Sequence, residues 1–470
     1  MRNRLQKVGL VVAGVLIGVA ISLNFSAVAQ KEAPPPLPVD ELRTFAEVYG
    51  RVKADYVDPV SDDKLITAAI NGMLTGLDPH SAYLDKEAFK ELQVGTQGEF
   101  GGLGIEVGMQ DGFIKVVAPI DDTPAARAGI KPGDLIVKLN ETSVQGMALN
   151  DAVKMMRGKP NTPITLTIVR KGLTKPLVVT LMRAVIKIQS VKSTLLEPGY
   201  AYFRITQFQE HTGESLAHAI VKLFKENHGP MKGIVLDLRN DPGGLLNGAV
   251  AVAAAFLPKN SLVVYTDGRT EDSKMRLYAT PEDYVRGRSK DDFLRNLPPE
   301  IKSVPMVVLV NSGTASASEI VSGALQDHQR AVIMGQQTFG KGSVQTILPL
   351  GNDTAIKLTT ARYFTPSGRS IQARGITPDI PLAEPGEDLA ALQLREADLT
   401  NHLVDSKKQE ARDKALADAV EKYNFKPAPP PRRVDEKALK LAPGQVVSKD
   451  DYELNQAIAF LKTRQVAQAN

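Results

Sequence analysis

The chain has 470 residues, of which 43% are hydrophobic and 23% charged, and its formal net charge is +4. This composition is ordinary for a globular protein, and the length is too great for one core, so we expect two or three domains. The charge is slight and no stripe of lysine and arginine with interleaved aromatic residues occurs, which argues against a nucleic-acid partner. Because the sequence contains no cysteine, it excludes a disulfide framework, a thiolate nucleophile and a cysteine-ligated metal.

The N-terminal residues have the layout of an export signal. A basic head at residues 2–7 precedes an apolar run from Val8 to Leu23, and Ala27-Val28-Ala29 offers a cleavage site after Ala29. The apolar run is also long enough for one marginal membrane span, so residues 1–29 are either a signal peptide or an N-terminal anchor. In both cases we expect the rest of the chain to be exported, to a periplasmic or other extracytoplasmic location. Residues 30–38 form a proline-rich spacer.

Residues 39–95 are predicted to form an N-terminal helical segment. Apolar residues recur at helical spacing from Val39 to Asp55 and again from Asp62 to Leu74. The second helix leads into the turn Leu77-Asp78-Pro79-His80-Ser81. The histidine of this turn is a candidate catalytic residue, although a histidine in a proline turn is more often a local hydrogen-bonding residue.

Residues 96–185 change to short strands and glycine turns. The run GGLGIEV from Gly101 to Val107 passes from glycines directly into an alternating strand, and AARAGIKPGDLIVKLN follows from Ala125 to Asn140. These stretches resemble a PDZ domain. The resemblance implies that N–H groups of the glycine loop hold a terminal carboxylate while the adjacent strand edge pairs with an extended peptide; the alternative is that the glycines only serve a tight turn. The expected peptide-binding residues are Gly102, Leu103, Gly104, Ile105 and Val107.

Residues 186–383 alternate strands and helices, which is typical of a layered α/β core. Apolar runs at Gly233–Leu238 and Met306–Val310 predict parallel strands buried on both faces. The first strand opens through Asp241-Pro242-Gly243-Gly244 into a helix from Leu245 to Phe256, an arrangement that can cradle an oxyanion or a phosphate. The spaced glycines of a nucleotide-binding loop are absent. We expect the polar stretch 270–299 to be a surface insertion.

The second strand leads through a hydroxyl-rich turn into a helix from Ala315 onward. Ser316 and Ser318 therefore lie near a helix start, where backbone N–H groups lack partners. One of these serines is a candidate nucleophile, and Lys341, at which the next strand is predicted to end, is a candidate base. The alternative is that Thr314 or one of the serines caps the helix and that the lysine is a solvated loop residue. Because both polar turns follow strand ends, which collect ligands in such sheets, the nucleophile interpretation is favoured.

Residues 384–470 are predicted to form a helical C-terminal tail. It contains a second proline tract from Lys426 to Pro431 and a final amphipathic helix from Tyr452 to Leu461. The sequence does not decide whether this tail packs on the core or mediates self-association.

In their order along the chain, these motifs resemble the carboxy-terminal processing peptidases, also called tail-specific proteases. The matching stretches are GMLTGLDPHSAYL, the PDZ-like region, GIVLDLRNDPGG, NSGTASASEI, TFGKGSVQ and GITPDI. The resemblance implies a crotonase/ClpP-like α/β protease core with an inserted PDZ-like domain. Thr314 stands where the family often has a serine, a departure that should not affect a nucleophile two residues later.

The resemblance also implies roles for individual residues. It assigns the nucleophile to Ser316, the general base to Lys341 and the third member to Gln345. It places the oxyanion donors at the backbone N–H of Gly243 or Gly244 and of Ala317. It further implies that an arginine of the PDZ region touches the protease core when peptide binds, and Arg157 and Arg170 are both candidates.

The chemistry of a serine/lysine dyad fits these residues. Lysine can take a proton from serine only when it is neutral, and burial among apolar neighbours lowers a lysine's pKa. The glycines beside Lys341 permit close backbone approach, and the amide of Gln345 can orient the amine.

We therefore expect an exported serine endopeptidase without metal, cofactor or ATP, which cleaves proteins at or near apolar C-terminal tails. A non-catalytic PDZ-containing binding or scaffold protein is the main alternative. A crotonase-like acyl-CoA enzyme is a second alternative, against which export and the PDZ-like region both argue. The sequence leaves open the natural substrates, an adaptor protein, homo-oligomers and membrane association through the N-terminal segment.

Overall fold

The computed structural model describes residues 37–120, 122–286, 291–382, 395–404, 446–448 and 450–469. The predicted signal at residues 1–29, nearly all of the spacer and most of the predicted tail, including its proline tract, lie outside the described residues. The chain divides into two units, of which the first ends at Ala69 and the second begins at Ile70. Within the described ranges, no helix has the length and apolar character needed to cross a membrane.

The first unit contains the helix Val39–Asp55 and the beginning of the helix Asp62–Thr75. Tyr49 donates a hydrogen bond of 2.5 Å to Asp62, and the ammonium of Lys53 lies 2.6 Å from the same carboxylate. These contacts join the two helices. The helix Val39–Asp55 buries none of its residues.

The second unit combines helices with several sheets. The helices that lie wholly in it are Lys86–Gln97, Pro124–Arg127, Leu149–Met156, Thr212–Glu226, Leu246–Phe256, Pro281–Tyr284, Ala317–Asp327 and Tyr452–Ala469. The strands, numbered in chain order, are β1 (Ala82–Leu84), β2 (Glu99–Gly102), β3 (Ile105–Gln110), β4 (Phe113–Pro119), β5 (Leu135–Leu139), β6 (Thr142–Ser143), β7 (Pro163–Val169), β8 (Leu177–Met182), β9 (Ala184–Lys187), β10 (Val191–Glu197), β11 (Tyr200–Ile205), β12 (Gly233–Asp237), β13 (Leu262–Gly268), β14 (Arg276–Tyr278), β15 (Met306–Val310), β16 (Val332–Gly335), β17 (Ser343–Pro349), β18 (Ala355–Phe364) and β19 (Ile380–Pro381).

The PDZ-like region is built on an antiparallel sheet in the order β3-β4-β5-β7-β8, with β6 paired to β5. Its apolar side chains form a core of their own, centred on residues such as Ile114, Ile136 and Leu166. The chain enters this region through β2 and leaves it through β9, and these two strands pair with each other. Strand β3 is at the edge of the sheet, and among the described residues only β4 pairs with it.

A six-stranded sheet in the order β10-β11-β12-β15-β16-β19 forms the centre of the α/β core. Within this sheet, neighbouring strands in the series β11-β12-β15-β16-β19 pair parallel, whereas β10 pairs antiparallel with β11. Every residue of β12 and β15 is buried, because helices cover one face of the sheet and the C-terminal helix covers the other. These two strands are adjacent and parallel, so the turns that follow their C-terminal ends are neighbours.

A second sheet has the order β1-β18-β13-β14, and β17 also pairs with β18. Strands β17 and β18 form an antiparallel hairpin around the Gly351 turn. Strand β1, which directly follows the Leu77–Ser81 turn, lies along the start of β18. The sheet therefore brings the N-terminal motif to the strand opposite Gln345.

Two sequence predictions are wrong in detail. The strand after the helix Ala317–Asp327 ends at Gly335, and Lys341 lies in the loop between β16 and β17. Gly335 has φ +124°, and a side chain there would come within 2.0 Å of the Val310 carbonyl oxygen, so the chain turns away at this point. The stretch 270–299 is not a pure surface insertion, since Leu277 and Tyr284 are buried in the main core.

Candidate active site

The turn after β12, the turn after β15 and the loop before β17 meet at one place. The backbone N–H of Ala315 donates to the Asp241 carbonyl at 2.9 Å, which joins the first two turns. The N–H of Phe339 donates to the Thr314 carbonyl at 3.1 Å, which joins the third. The structure thus brings together the stretches that carry the predicted serine, lysine and glycine pair.

Three hydroxyl groups lie at the start of the helix Ala317–Asp327, and their hydrogen bonds differ. Thr314 Oγ1 donates to the Leu238 carbonyl at 2.8 Å, and Ser318 Oγ donates to the Asp241 carbonyl at 3.0 Å. Both side chains are fully buried, whereas Ser316 is 7% exposed. The Ser316 hydroxyl donates no hydrogen bond to any residue that the structure describes. Of the three protons, only that of Ser316 is free for chemistry.

The backbone of Ser316 is strained. Its φ is +56° and its ψ −113°, in a region that a residue with a side chain rarely occupies. The residue is the N-cap of the helix, and its own N–H donates to Glu319 Oε2 at 2.8 Å. The neighbouring contacts therefore hold the serine in a conformation that it would not adopt by itself.

Glu319 is a fully buried carboxylate that connects the turn of Ser316 to the loop of Lys341. Its Oε2 accepts the N–H of Ser316 and the N–H of Lys341 at 2.9 Å. Its Oε1 accepts the N–H of Gly340 at 2.7 Å and the hydroxyl of Thr338. Burial raises the pKa of Glu319 to about 7, although the four donors favour the ionised form. This residue was not among the predicted site residues, although the Ser-x-x-Glu capping-box pattern is a local signal for it.

Lys341 is partly buried beside this carboxylate. Burial lowers its pKa and the positive charge of Lys357 lowers it further, against the opposing charges of Glu396, Glu319 and Asp78. Among the described residues, no carboxylate lies within ion-pair distance of its ammonium. These surroundings favour the neutral amine more than water does.

Gln345 lies on β17, where it faces Thr359 of β18. Its Nε2 donates to Ser343 Oγ at 3.0 Å and to Thr359 Oγ1 at 3.2 Å. In the described part of the chain, no hydrogen bond joins the amide to Lys341, and the amide oxygen has no partner. The structure thus brings Gln345 to the lysine loop without bonding the two side chains.

Gly243 packs directly against Ser316. It has φ +96°, and a side chain there would come within 2.8 Å of both Ser316 Cβ and Ala317 N. Only glycine allows this approach of the two turns. Its N–H is occupied, however, because it donates to Asp241 Oδ1 at 2.9 Å.

The N–H groups of Gly244 and Ala317 are both unused within the described ranges. Gly244 forms a parallel bridge with Phe208, and the hydrogen bonds of that bridge come from the neighbours of Gly244. Ala317 is the first residue of its helix, so its N–H has no acceptor within the helix. Two backbone donors are therefore unoccupied at the turns that flank Ser316.

Asp241 was also missed as an individual functional residue. It is fully buried, and burial raises the pKa of its carboxyl to about 7. Its Oδ1 holds the N–H of Gly243, while its Oδ2 has no partner among the described residues. The side chain therefore stabilises the conformation of the Gly243-Gly244 turn through its bond to the Gly243 N–H.

His80 does not contact the serine. Its Nε2 lies 2.8 Å from Glu396 Oε2, and the other oxygen of that buried carboxylate accepts Gln372 Nε2 at 2.8 Å. The histidine is thus a hydrogen-bonding residue, as the sequence favoured, but the partner of its side chain is the distant Glu396 and not a local group. Among the residues that the structure describes, no group of three or more histidine, aspartate or glutamate side chains is arranged to hold a metal ion.

The predicted peptide-binding residues lie on the edge strand β3 of the PDZ-like sheet and in the segment just before it. Gly102 ends β2, Ile105 and Val107 belong to the edge strand β3, and Leu103 is buried in the local core. Gly104 has φ +75°, and its carbonyl accepts the N–H of Ile120 at 2.8 Å.

The two candidate arginines of this region have different surroundings. Arg170 binds both oxygens of Asp134, at 2.7 and 2.8 Å. Arg157 stacks over the ring of Phe100, 4.8 Å from its centroid, and forms no ion pair with a described residue. Arg170 is therefore engaged within its own domain, whereas the charge of Arg157 is available.

Comparisons with family models, curated relatives and solved structures all give matches to one family of proteases. Peptidase family S41 matches residues 199–382, a PDZ domain matches residues 115–170, and the activating protease CtpB N-terminal domain matches residues 20–88. The carboxy-terminal-processing protease of Bartonella bacilliformis is 43% identical over 97% of this chain and 96% of its own length. The carboxy-terminal processing protease CtpA of Bacillus subtilis is 34% identical over 85% of this chain and 81% of its own. A solved photosystem II D1 C-terminal processing protease is 31% identical, with a TM-score of 0.39, covering 72% of this chain and 86% of that one.

Proposed function

The chain belongs to the carboxy-terminal processing proteases of peptidase family S41, and we propose that Ser316 is the nucleophile of this serine-type peptidase and Lys341 its general base. The strongest support is the single oxygen of Glu319 that accepts the backbone N–H of both residues. The engagement of Ser318 and Thr314 with backbone carbonyls favours Ser316 over the neighbouring hydroxyls.

In this mechanism the neutral amine of Lys341 takes the proton of the Ser316 hydroxyl as the oxygen attacks the scissile carbonyl carbon. The ammonium then gives that proton to the leaving amine, and water hydrolyses the resulting acyl-enzyme. Because burial and Lys357 lower the pKa of Lys341 below the ordinary 10.5, more of the lysine is neutral at a given pH. Cleavage is expected to rise as pH rises through that lowered pKa.

The N–H groups of Gly244 and Ala317 are the preferred donors to the tetrahedral oxyanion. Both are unused among the described residues, whereas the N–H of Gly243 is held by Asp241. Gly243 instead allows the two turns to approach. Loss of one such donor typically costs about 10²–10³ in rate.

Gln345 is the third member of the site in this proposal. Its Nε2 hydrogens are donated to two hydroxyls, so its oxygen is the atom left to accept a hydrogen bond from the Lys341 amine. Such a bond would orient the lysine's lone pair toward the serine.

The substrates are proteins or peptides, and we infer that the PDZ domain selects them by a free apolar C-terminus. The edge position of β3 leaves a strand on which an extended tail can add, next to the Gly104 turn. The tail would then be cleaved at or near its end by Ser316.

The remaining parts of the proposal rest on the sequence. They are export through residues 1–29, domain limits at residues 95, 185 and 383, and a crotonase/ClpP-like arrangement of the core. Self-association and an adaptor protein stay open.

The dyad is tested with a peptide that carries a free apolar C-terminus. We expect Ser316→Ala and Lys341→Ala each to abolish measurable cleavage, because each removes a reacting group. Ser318→Ala is the matched control, since it removes the neighbouring hydroxyl that is bonded to a backbone carbonyl. Cleavage at the wild-type rate by either dyad variant, or its loss only in Ser318→Ala, would overturn the assignment.

A further inference from the structure

The Leu77–Ser81 turn carries a buried carboxylate that the proposed mechanism does not use. Asp78 is 3% exposed and accepts four hydrogen bonds. Three come from its own turn, from the N–H groups of His80 and Ser81 and from the Ser81 hydroxyl at 2.6 Å. The fourth comes from Thr359 Oγ1 on β18, at 3.0 Å. The turn is thereby connected to the strand opposite Gln345.

The hydrogen bond between Thr359 and Asp78 can have only one donor, the Thr359 hydroxyl. Burial opposes ionisation of Asp78, but its hydrogen bonds outweigh that effect and lower its pKa. An ionised carboxylate can only accept, so the single hydroxyl proton of Thr359 must point to Asp78. Thr359 Oγ1 can then only accept, and its donor is Gln345 Nε2 at 3.2 Å, because the Ser81 hydroxyl, 3.4 Å away, gives its proton to Asp78 at 2.6 Å.

This direction determines the orientation of the Gln345 amide. An amide rotated by half a turn would place its oxygen against an oxygen that has no proton to give, so one orientation is strongly preferred. Ser343 Oγ accepts the second Nε2 hydrogen at 3.0 Å. The amide oxygen is then the end left for Lys341, whose pKa the charge of Asp78 is near enough to affect.

Resting on the dyad proposed above, we propose that Asp78, acting through the Thr359 hydroxyl, fixes which end of the Gln345 side-chain amide is available to Lys341. Asp78 and Thr359 are positioning residues, since neither contacts the reacting atoms. The Leu77–Ser81 turn thus helps to orient the general base Lys341, in addition to its part in the fold.

The test removes the hydroxyl and keeps the shape of the side chain. We expect Thr359→Val to lower kcat about tenfold with KM unchanged, because the freed amide can present its NH₂ end to the lysine. That end repels an ammonium, so the acidic limb of the kcat–pH profile should move to lower pH. Thr359→Ser keeps the hydroxyl and should restore both the wild-type kcat and the limb.

Ser81→Ala separates positioning from stability. The Ser81 hydroxyl accepts the N–H of Thr359 at 3.1 Å and lies 3.4 Å from Thr359 Oγ1. Its single proton goes to Asp78 at 2.6 Å, so removing it leaves the direction of the Thr359 hydroxyl unchanged. We expect this variant to lower the melting temperature and leave the acidic limb in place. The inference would be overturned if Thr359→Val kept the wild-type kcat and the wild-type acidic limb of the kcat–pH profile. It would also be overturned if Thr359→Val and Ser81→Ala had the same kcat and the same acidic limb. Full activity of Ser316→Ala or Lys341→Ala would instead overturn the dyad itself.

Discussion

At the scale of single residues, Glu319 holds the backbones of the two proposed catalytic residues, Ser316 and Lys341, in a fixed relative position. We expect Glu319→Gln to lower kcat about 10²-fold, since replacing one oxygen by NH₂ removes the acceptor of at least one backbone N–H and lets the serine turn move from the lysine loop. Each buried N–H left without a partner also costs about 1–3 kcal/mol of stability. Steady-state kinetics and thermal unfolding measure the two effects.

A matched variant exists outside the site. Asp379 likewise accepts a backbone N–H, from Ile333 at 2.8 Å, and an amide of Gln326, and neither of these two partners lies in the turn of Ser316 or the loop of Lys341. Asp379→Asn should therefore lower stability without changing kcat. Equal kcat losses in the two variants would show that the effect of Glu319 is one of general stability.

The sequence could identify some of these residues and not others. Ser316 and Lys341 follow from local patterns and family resemblance, and Ser-x-x-Glu is a local signal for Glu319. Asp78 and Thr359 are far apart in the chain and carry no shared local pattern. Their contact depends on the pairing of β1 with β18, which single-sequence periodicity does not determine.

At the scale of elements, the C-terminal helix completes the sheet that presents the site. Its buried residues pack on the face that includes Tyr202, Val235 and Leu309. The preceding Asp451, together with Glu453, binds Arg239, which in turn binds Asp237 at the end of β12. The helix is thus tied to the strand from which the glycine turn continues.

We expect Phe460→Ala to destabilise the protein by about 3–5 kcal/mol, because the side chain is 2% exposed and leaves a cavity under the helix. Phe45→Ala is the same substitution on the helix Val39–Asp55, where the ring is 48% exposed, and should change stability by about 0.5 kcal/mol or less. Denaturant unfolding measures both. Equal losses would mean that the C-terminal helix does not stabilise the core.

The sequence predicted secondary-structure elements correctly where a local apolar pattern marks burial. The strand Met306–Val310 has the predicted bounds, because a continuous apolar run is covered on both faces. The stretch 270–299 was misjudged because its few apolar residues, such as Leu277, are buried by long-range packing within a polar sequence. The end of β16 was misplaced because Gly335, not the glycine-flanked lysine, is the residue at which the chain turns.

At the scale of the whole molecule, the proposed function makes cleavage depend on binding of the substrate C-terminus to the PDZ domain. The useful quantity is the ratio of kcat/KM for a peptide with a free C-terminus to that for the same peptide amidated. Carboxylate capture predicts a ratio above one for the wild type. Equal rates for the two peptides would remove that idea while leaving the dyad intact.

Substitutions of the two PDZ arginines can separate an effect on the connection between the PDZ domain and the peptidase core from an effect on domain stability. Arg157 has no ion-pair partner among the described residues, so Arg157→Ala should bring the ratio toward one, with only the small fall in melting temperature that follows from losing its contact with the Phe100 ring. Arg170 holds the buried Asp134 with two hydrogen bonds, so Arg170→Ala should instead destabilise the domain by about 1.5–3 kcal/mol. A wild-type ratio in Arg157→Ala would exclude this arginine as the connection. Because both substitutions remove one positive charge from the same domain, any difference between them reflects position and not net charge.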